Sequence, residues 1–103
     1  AAEDKETARL ELKARLYGIE AGVAELVLRG VRKVHEQVAQ TSRRLGTGSK
    51  LGKSARSAAD GFGLLVEALE TMLKGAETGD DALREQAHAL LAQARDKLDA
   101  LRT

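Results

Sequence analysis

The sequence predicts an all-α fold, a long N-terminal helix followed by an antiparallel helical hairpin, and three observations lead there. Proline is absent from all 103 residues while Ala, Leu, Glu, Arg and Lys dominate, so helix propensity is high and internal stops are few. Apolar residues return at alternating steps of three and four, which keeps them on one helical face. Glycine is the only punctuation. Gly46, Gly48 and Gly52 cluster with Thr47 and Ser49, and Gly75 and Gly79 bracket Ala76, Glu77 and Thr78. Gly46 after Leu45 and Gly75 after Lys74 read as C-terminal stops, with Ser49 and then Thr78 or Asp80 as the following N-caps. One helical domain over residues 1–103 is therefore expected, with helices at about 4–45, 50–74 and 80–102.

The first helix carries two apolar lines. Leu12, Leu16, Ile19, Val23, Leu26, Gly30 and Val34 form one, and Leu10, Tyr17, Ala21, Ala24, Leu28, Val31, His35 and Val38 form the other. It has something to bury on two sides. At 1.5 Å per residue it is roughly 60 Å long, about twice the reach of either later helix. A hairpin descending from Gly46 would end near Gly22 and leave Asp4 to Ala21 projecting, with an apolar patch too large to leave in water. The period runs unbroken through Gly18 and Gly22, without a polar loop or an N-cap. A continuous helix completed by a second copy is expected over a fold-back at Gly18. An antiparallel dimer would set each overhang against the partner's hairpin, forming four-helix bundles through Leu10, Leu12, Leu16, Tyr17, Gly18, Ile19 and Gly22.

The second helix places Leu51, Ala55, Ala58, Phe62, Leu65, Leu69 and Met72 on one face, opposite Lys53, Arg56, Asp60, Glu67 and Lys74. In the third, Leu83, Ala87, Leu90, Ala94, Leu98 and Leu101 face inward, and Glu85, Ala89 and Asp99 face water. Five glycines, at 18, 22, 30, 61 and 63, fall inside the expected helices, where each costs about 1 kcal/mol relative to alanine. With aromatics at 2%, namely Tyr17 and Phe62, the room they leave is filled by close backbone approach or by something bound.

Composition narrows the function. Seventeen basic residues against sixteen acidic ones give a net charge of +1, too little for a field that attracts nucleic acid. Cysteine is absent, which removes disulfides, thiolate metal sites and a cysteine nucleophile. No apolar run reaches the ~18 residues of a bilayer span and no signal pattern is present, so a soluble, cytoplasmic-type domain without membrane partners is expected. There is no phosphate-binding loop: the Gly46 to Gly52 cluster follows a helix, not a strand. No serine has a nucleophile-elbow context, and no catalytic residue is assigned.

Histidine supplies the remaining chemistry. His35 lies on the second apolar line of the first helix, while His88 flanks the apolar face of the third, near Arg84 and Arg95. Two neutral imidazoles in a core rich in Ala and Gly are the elements of a haem or porphyrin site, with His35 as axial ligand and His88 as a second. A bare metal is not expected, since Glu85-Gln86-Ala87-His88 is a single Glu-x-x-His spacing where a bundle di-metal site needs two and further inward Glu residues.

Two resemblances bear on these readings. Leu69-Glu70, Lys74-Gly75 and Gly79-Asp80-Asp81-Ala82-Leu83, continuing through Leu90 and Ala94 to Leu98, resemble the last hairpin of histidine-phosphotransfer domains. That likeness implies a phosphoacceptor at His35, with Val38-Ala39 standing where the family has Lys-Gly. The stretch Val34-His35-Glu36-Gln37-Val38-Ala39-Gln40 likewise resembles the phosphoacceptor box of sensor-kinase dimerisation helices, although Thr41-Ser42-Arg43-Arg44 then turns polar. In its Ala/Leu/Glu/Arg filling, acidic helix start and basic helix end, the segment from Lys74 to Arg102 is similar to computationally designed helical bundles. That likeness implies a scaffold without an evolved activity. The expected function is a self-associating, non-enzymatic bundle with no cofactor; the alternatives are haem binding and phosphotransfer, both through His35.

Overall fold

The structure, a computed structural model, describes residues 2–102. All of its regular structure is helical: α1 spans Ala2–Leu45, α2 spans Lys50–Thr78 and α3 spans Asp81–Asp99, followed by a short 3-10 turn at Ala100–Arg102. The first helix is continuous through Gly18 and Gly22 and by itself accounts for the 67 Å length of the molecule. It ends with Arg43 and Arg44 in its last turn, where cations meet the negative end of the helix dipole. Gly46 then takes a left-handed conformation at φ 68°, and its N–H donates to the Ser42 carbonyl at 3.0 Å. Ser49 opens α2 by accepting from the Gly52 N–H at 3.0 Å.

Three expected boundaries of the hairpin move. The second helix continues four residues beyond Lys74, and its stop is Gly79, left-handed at φ 69°, where the N–H groups of Gly79 and Asp80 both donate to the Gly75 carbonyl. Asp80 is the N-cap of α3, its Oδ1 accepting from the N–H groups of Ala82 and Leu83, so the helix starts at Asp81 and gives way to the 3-10 turn after Asp99.

Gly75 has a different task from the one expected of it. A Cβ there would stand 3.1 Å from Arg84 Cγ and 3.2 Å from the Arg84 backbone nitrogen, so the missing side chain lets α3 approach α2. Gly61 does the same at the other end, where a Cβ would meet Leu98 Cδ2 at 2.7 Å. Ala68 lies midway between them, and Ala87 and Ala94 face this line from α3; these three alanines are the most completely enclosed side chains. Small residues seven apart on α2, paired with small residues seven apart on α3, thus build the hairpin.

The hairpin packs on α1 through the second apolar line. Tyr17, Ala24 and Leu28 are buried, and Val31, His35 and Val38 half-buried. An ion pair between Arg32 and Glu70 at 3.1 Å ties the two helices at mid-height. The longer α2 carries the hairpin tip to Tyr17, whose ring lies 4.0 Å from a Cβ position on Gly79. The projecting part of α1 therefore runs from Asp4 to Leu16 and not to Ala21.

Ala87→Leu should push α3 away from α2 and lower stability by about 1–3 kcal/mol. Gly18→Ala, at a site with open space around it, should raise stability by about 0.5–1 kcal/mol. Urea unfolding followed by circular dichroism distinguishes these opposite signs.

Candidate functional site

Two features meet where the hairpin tip reaches α1. The first is a polar clamp around Tyr17, whose ring is 9% exposed. Its hydroxyl donates to Asp81 Oδ1, and Lys13 Nζ donates to the other Asp81 oxygen at 3.3 Å. Arg84 lies over the ring, its guanidinium carbon 4.6 Å from the centroid, with Lys13 Nζ 5.4 Å away. The Arg84 fork holds Glu20 with two hydrogen bonds, Nη2 to Oε2 at 2.8 Å and Nε to Oε1 at 3.3 Å, a planar bidentate match. The backbones of α1 and α3 stay apart among the described residues, and these five side chains bridge the gap between them.

The clamp shifts its own charges. The Tyr17 hydroxyl, followed by Lys13, holds the Asp81 carboxyl below the ordinary aspartate value. The Asp81 carboxylate raises the Lys13 ammonium, and Glu20 raises the Arg84 guanidinium.

The second feature is an uncovered apolar stripe. Leu12, Leu16, Ile19, Val23, Leu26 and Val34, the first apolar line of the helix, all remain exposed, Ile19 at 65% and Leu26 at 71%. Val27 widens the stripe, and from Leu12 to Val34 it extends roughly 33 Å. Its lower end borders an open cavity of about 740 Å³ between the overhang and the start of α3, with Leu12, Leu16 and Tyr17 on one side and Asp81, Arg84 and His88 on the other. A continuous run of this length differs from the singly scattered apolar residues of an ordinary protein surface.

The sequence-derived positions divide accordingly. Leu10, Leu12, Leu16, Gly18, Ile19 and Gly22 are exposed on α1. Tyr17, assigned with them to a surface between copies, is instead buried by this chain's own hairpin, because the tip lies lower on α1 than a stop at Gly75 would put it. His35 is half-buried between α1 and α2, with Nε2 3.4 Å from a Cβ position on Gly63. His88 is exposed on α3 and borders the cavity. The structure does not bring the two histidines together: by the contacts of Gly61 with Leu98 and Gly75 with Arg84, Gly63 is level with a point about eight residues, or roughly 12 Å, beyond His88. No group of three or more His, Cys, Asp or Glu side chains is placed to hold a metal ion among the described residues.

Sequence reasoning missed the clamp as a unit. Lys13 and Glu20 are single charges on α1, and their partners Asp81 and Arg84 are more than sixty positions away along the chain. No family model, curated protein or solved structure matches this chain. No helix of the described residues is long and apolar enough to cross a membrane.

Because the Asp81 pKa is depressed in the fold, its contribution is present above the ordinary aspartate value and lost as pH falls through the lower, folded value. The urea midpoint should fall as the pH drops below about 4, and Asp81→Asn should flatten that part of the curve. Tyr17→Ala, which empties the ring site altogether, should cost about 3–4 kcal/mol at neutral pH.

Proposed function

We propose that this chain is a self-associating helical scaffold, structural and not catalytic, whose working surface is the outer face of α1. The observation that carries the reading is the stripe from Leu12 to Val34, left uncovered by the hairpin along a helix whose opposite apolar line the hairpin buries. An apolar line repeating at steps of four and three is what a second helix packs against through interdigitating side chains. The polar groups nearby are already engaged with one another: Asp81 is shared by Tyr17 and Lys13, and Glu20 is held by Arg84. That leaves the apolar side chains as the reactive part of this surface in the thermodynamic sense.

Burial of the stripe in a homodimer is the simplest closed solution, since a two-fold axis covers the same patch on both copies with one contact. Light scattering coupled to size exclusion should give twice the 11.0 kDa chain mass at micromolar concentration. Ile19→Lys should shift the mass toward that of the single chain without reducing helical circular dichroism. A wild-type chain that elutes as a monomer at these concentrations would contradict the proposal.

A further inference from the structure

The hairpin and α1 occupy three corners of a four-helix bundle. Helix α2 packs against both of the others, while α1 and α3 stay apart except at the clamp. Arg84, His88, Leu91 and Arg95 follow at steps of four, three and four, so they share the side of α3 from which Arg84 reaches α1. Leu12 and Leu16 border the opening from α1 at its lower end, and the exposed line they belong to continues upward through Val23 and Val34. The empty corner therefore has one apolar wall and one mixed wall, and its lower end is the 740 Å³ cavity.

The overhang of α1 has the matching shape. Leu12 and Leu16 belong to its outer line, whereas Leu10 lies seven residues before Tyr17, on the line that α2 buries higher up. Below Gly79 there is no α2 to cover Leu10, and it is 56% exposed. A helix apolar on two diverging lines suits a corner where it touches two neighbours at once.

Resting on the self-association reading, we infer that the overhang of a second copy fills this corner in antiparallel orientation, and that the hairpin tips fix its register. The hairpin covers α1 from Tyr17 upward, so two antiparallel copies slide together until their Gly79 bends meet, with the two-fold axis at Tyr17 and Gly18. In that register Leu12 faces the partner's Val23 and Leu16 faces the partner's Ile19. Lys13 comes beside the partner's Glu20, and Leu10 is turned toward the partner's α3, near the partner's His88. Opposite charges flank the apolar layers, which extends the clamp across the axis.

Neighbouring registers are worse on both counts. A slide of one heptad deeper would overlap the hairpin tips by about seven residues, roughly 10 Å, and would set Arg15 toward the partner's Arg29 and Glu20 against the partner's Glu20. A slide of one heptad shallower leaves Val23 and Leu26 in water. The chosen register covers Leu10, Leu12, Leu16, Ile19, Val23 and part of Leu26, on the order of 600 Å² per protomer and about 1,200 Å² in all, which reaches the range of stable interfaces.

The absence of cysteine makes the test direct. Leu12→Cys and Val23→Cys variants, both at exposed positions, are mixed and oxidised gently, and each is also oxidised alone. The expected result is a disulfide-linked dimer in the mixture and none from either variant alone. Crosslinking of Leu12→Cys with itself would show a parallel pair or an antiparallel pair crossing at Leu12, and either would overturn the inference. Crosslinking of Leu12→Cys with Gly30→Cys, or no crosslink in any combination from a chain that light scattering shows to be dimeric, would overturn the register while leaving self-association standing. A wild-type chain that is monomeric by light scattering would remove both.

Discussion

A small residue recurs at every seventh position of α2, at Gly61, Ala68 and Gly75, and meets Ala87 and Ala94 of α3. This spacing brings the two backbones close enough that the leucines flanking the line pack against main chain. The consequence is a thin core. Close packing recovers many dispersion contacts per unit area, but alanines and glycines remove little apolar surface from water compared with leucine or phenylalanine. Leu64, Leu65, Val66, Met72, Leu90 and Leu91 all remain half-exposed, so much of the apolar surface of the hairpin is only partly used. Two helices joined this tightly present a narrow flank to α1, wide enough for one apolar line of that helix and too narrow for two.

Tyr17 determines where that flank ends. It is the only buried aromatic among the described residues, and it lies opposite Gly79, whose left-handed turn ends α2. The ring supplies apolar contact, and its hydroxyl reaches Asp81 in the first turn of α3, so one side chain links all three helices at the hairpin tip. Arg84 closes the arrangement by covering the ring and holding Glu20. A ring so enclosed resists sliding of α1 along the hairpin, because a displacement of one turn would lose the stacked guanidinium and both hydrogen-bonded carboxylates together. The axial position of α1, and with it the length of free helix below the tip, follows from these contacts.

Much of this architecture was legible in the sequence because it rests on local periodicity. The continuity of α1 through Gly18 and Gly22, its two apolar lines, the Ser49 cap and the Gly46 stop are all written within windows of a few turns. The errors have one origin. Gly75, after Lys74, has the local signature of a helix stop, whereas the structure uses it for contact with Arg84. The spacing of Gly61, Ala68 and Gly75 carried that information, but only for a reader who already suspected that a partner helix faced the line. Moving the tip from Gly75 to Gly79 then moved Tyr17 from the proposed outer surface into the chain's own core. Ion pairs more than sixty positions apart, such as Arg84 with Glu20, leave no local trace at all.

The overhang is helical for a reason that bears on its use. A segment of thirteen residues from Asp4 to Leu16 would be marginal as an isolated helix in water, since nucleation is costly and there are few turns to offset it. Here no nucleation is required, because the segment extends a helix already anchored by Tyr17, Ala24 and Leu28. The chain thereby presents a preformed apolar rod beyond its own core, and a partner that binds it loses little of the ordering entropy that a disordered arm would forfeit. Under the proposed self-association, rigidity would also constrain the partner: a helix with apolar residues on two lines would be matched by a surface with two walls, the shape of the opening between α1 and α3. The length of α2 connects these facts. A shorter hairpin would lengthen the rod but shorten the opening between α1 and α3, and a longer one would do the reverse, so the position of Gly79 sets the lengths of both and, under the proposed self-association, would set the two halves of one contact.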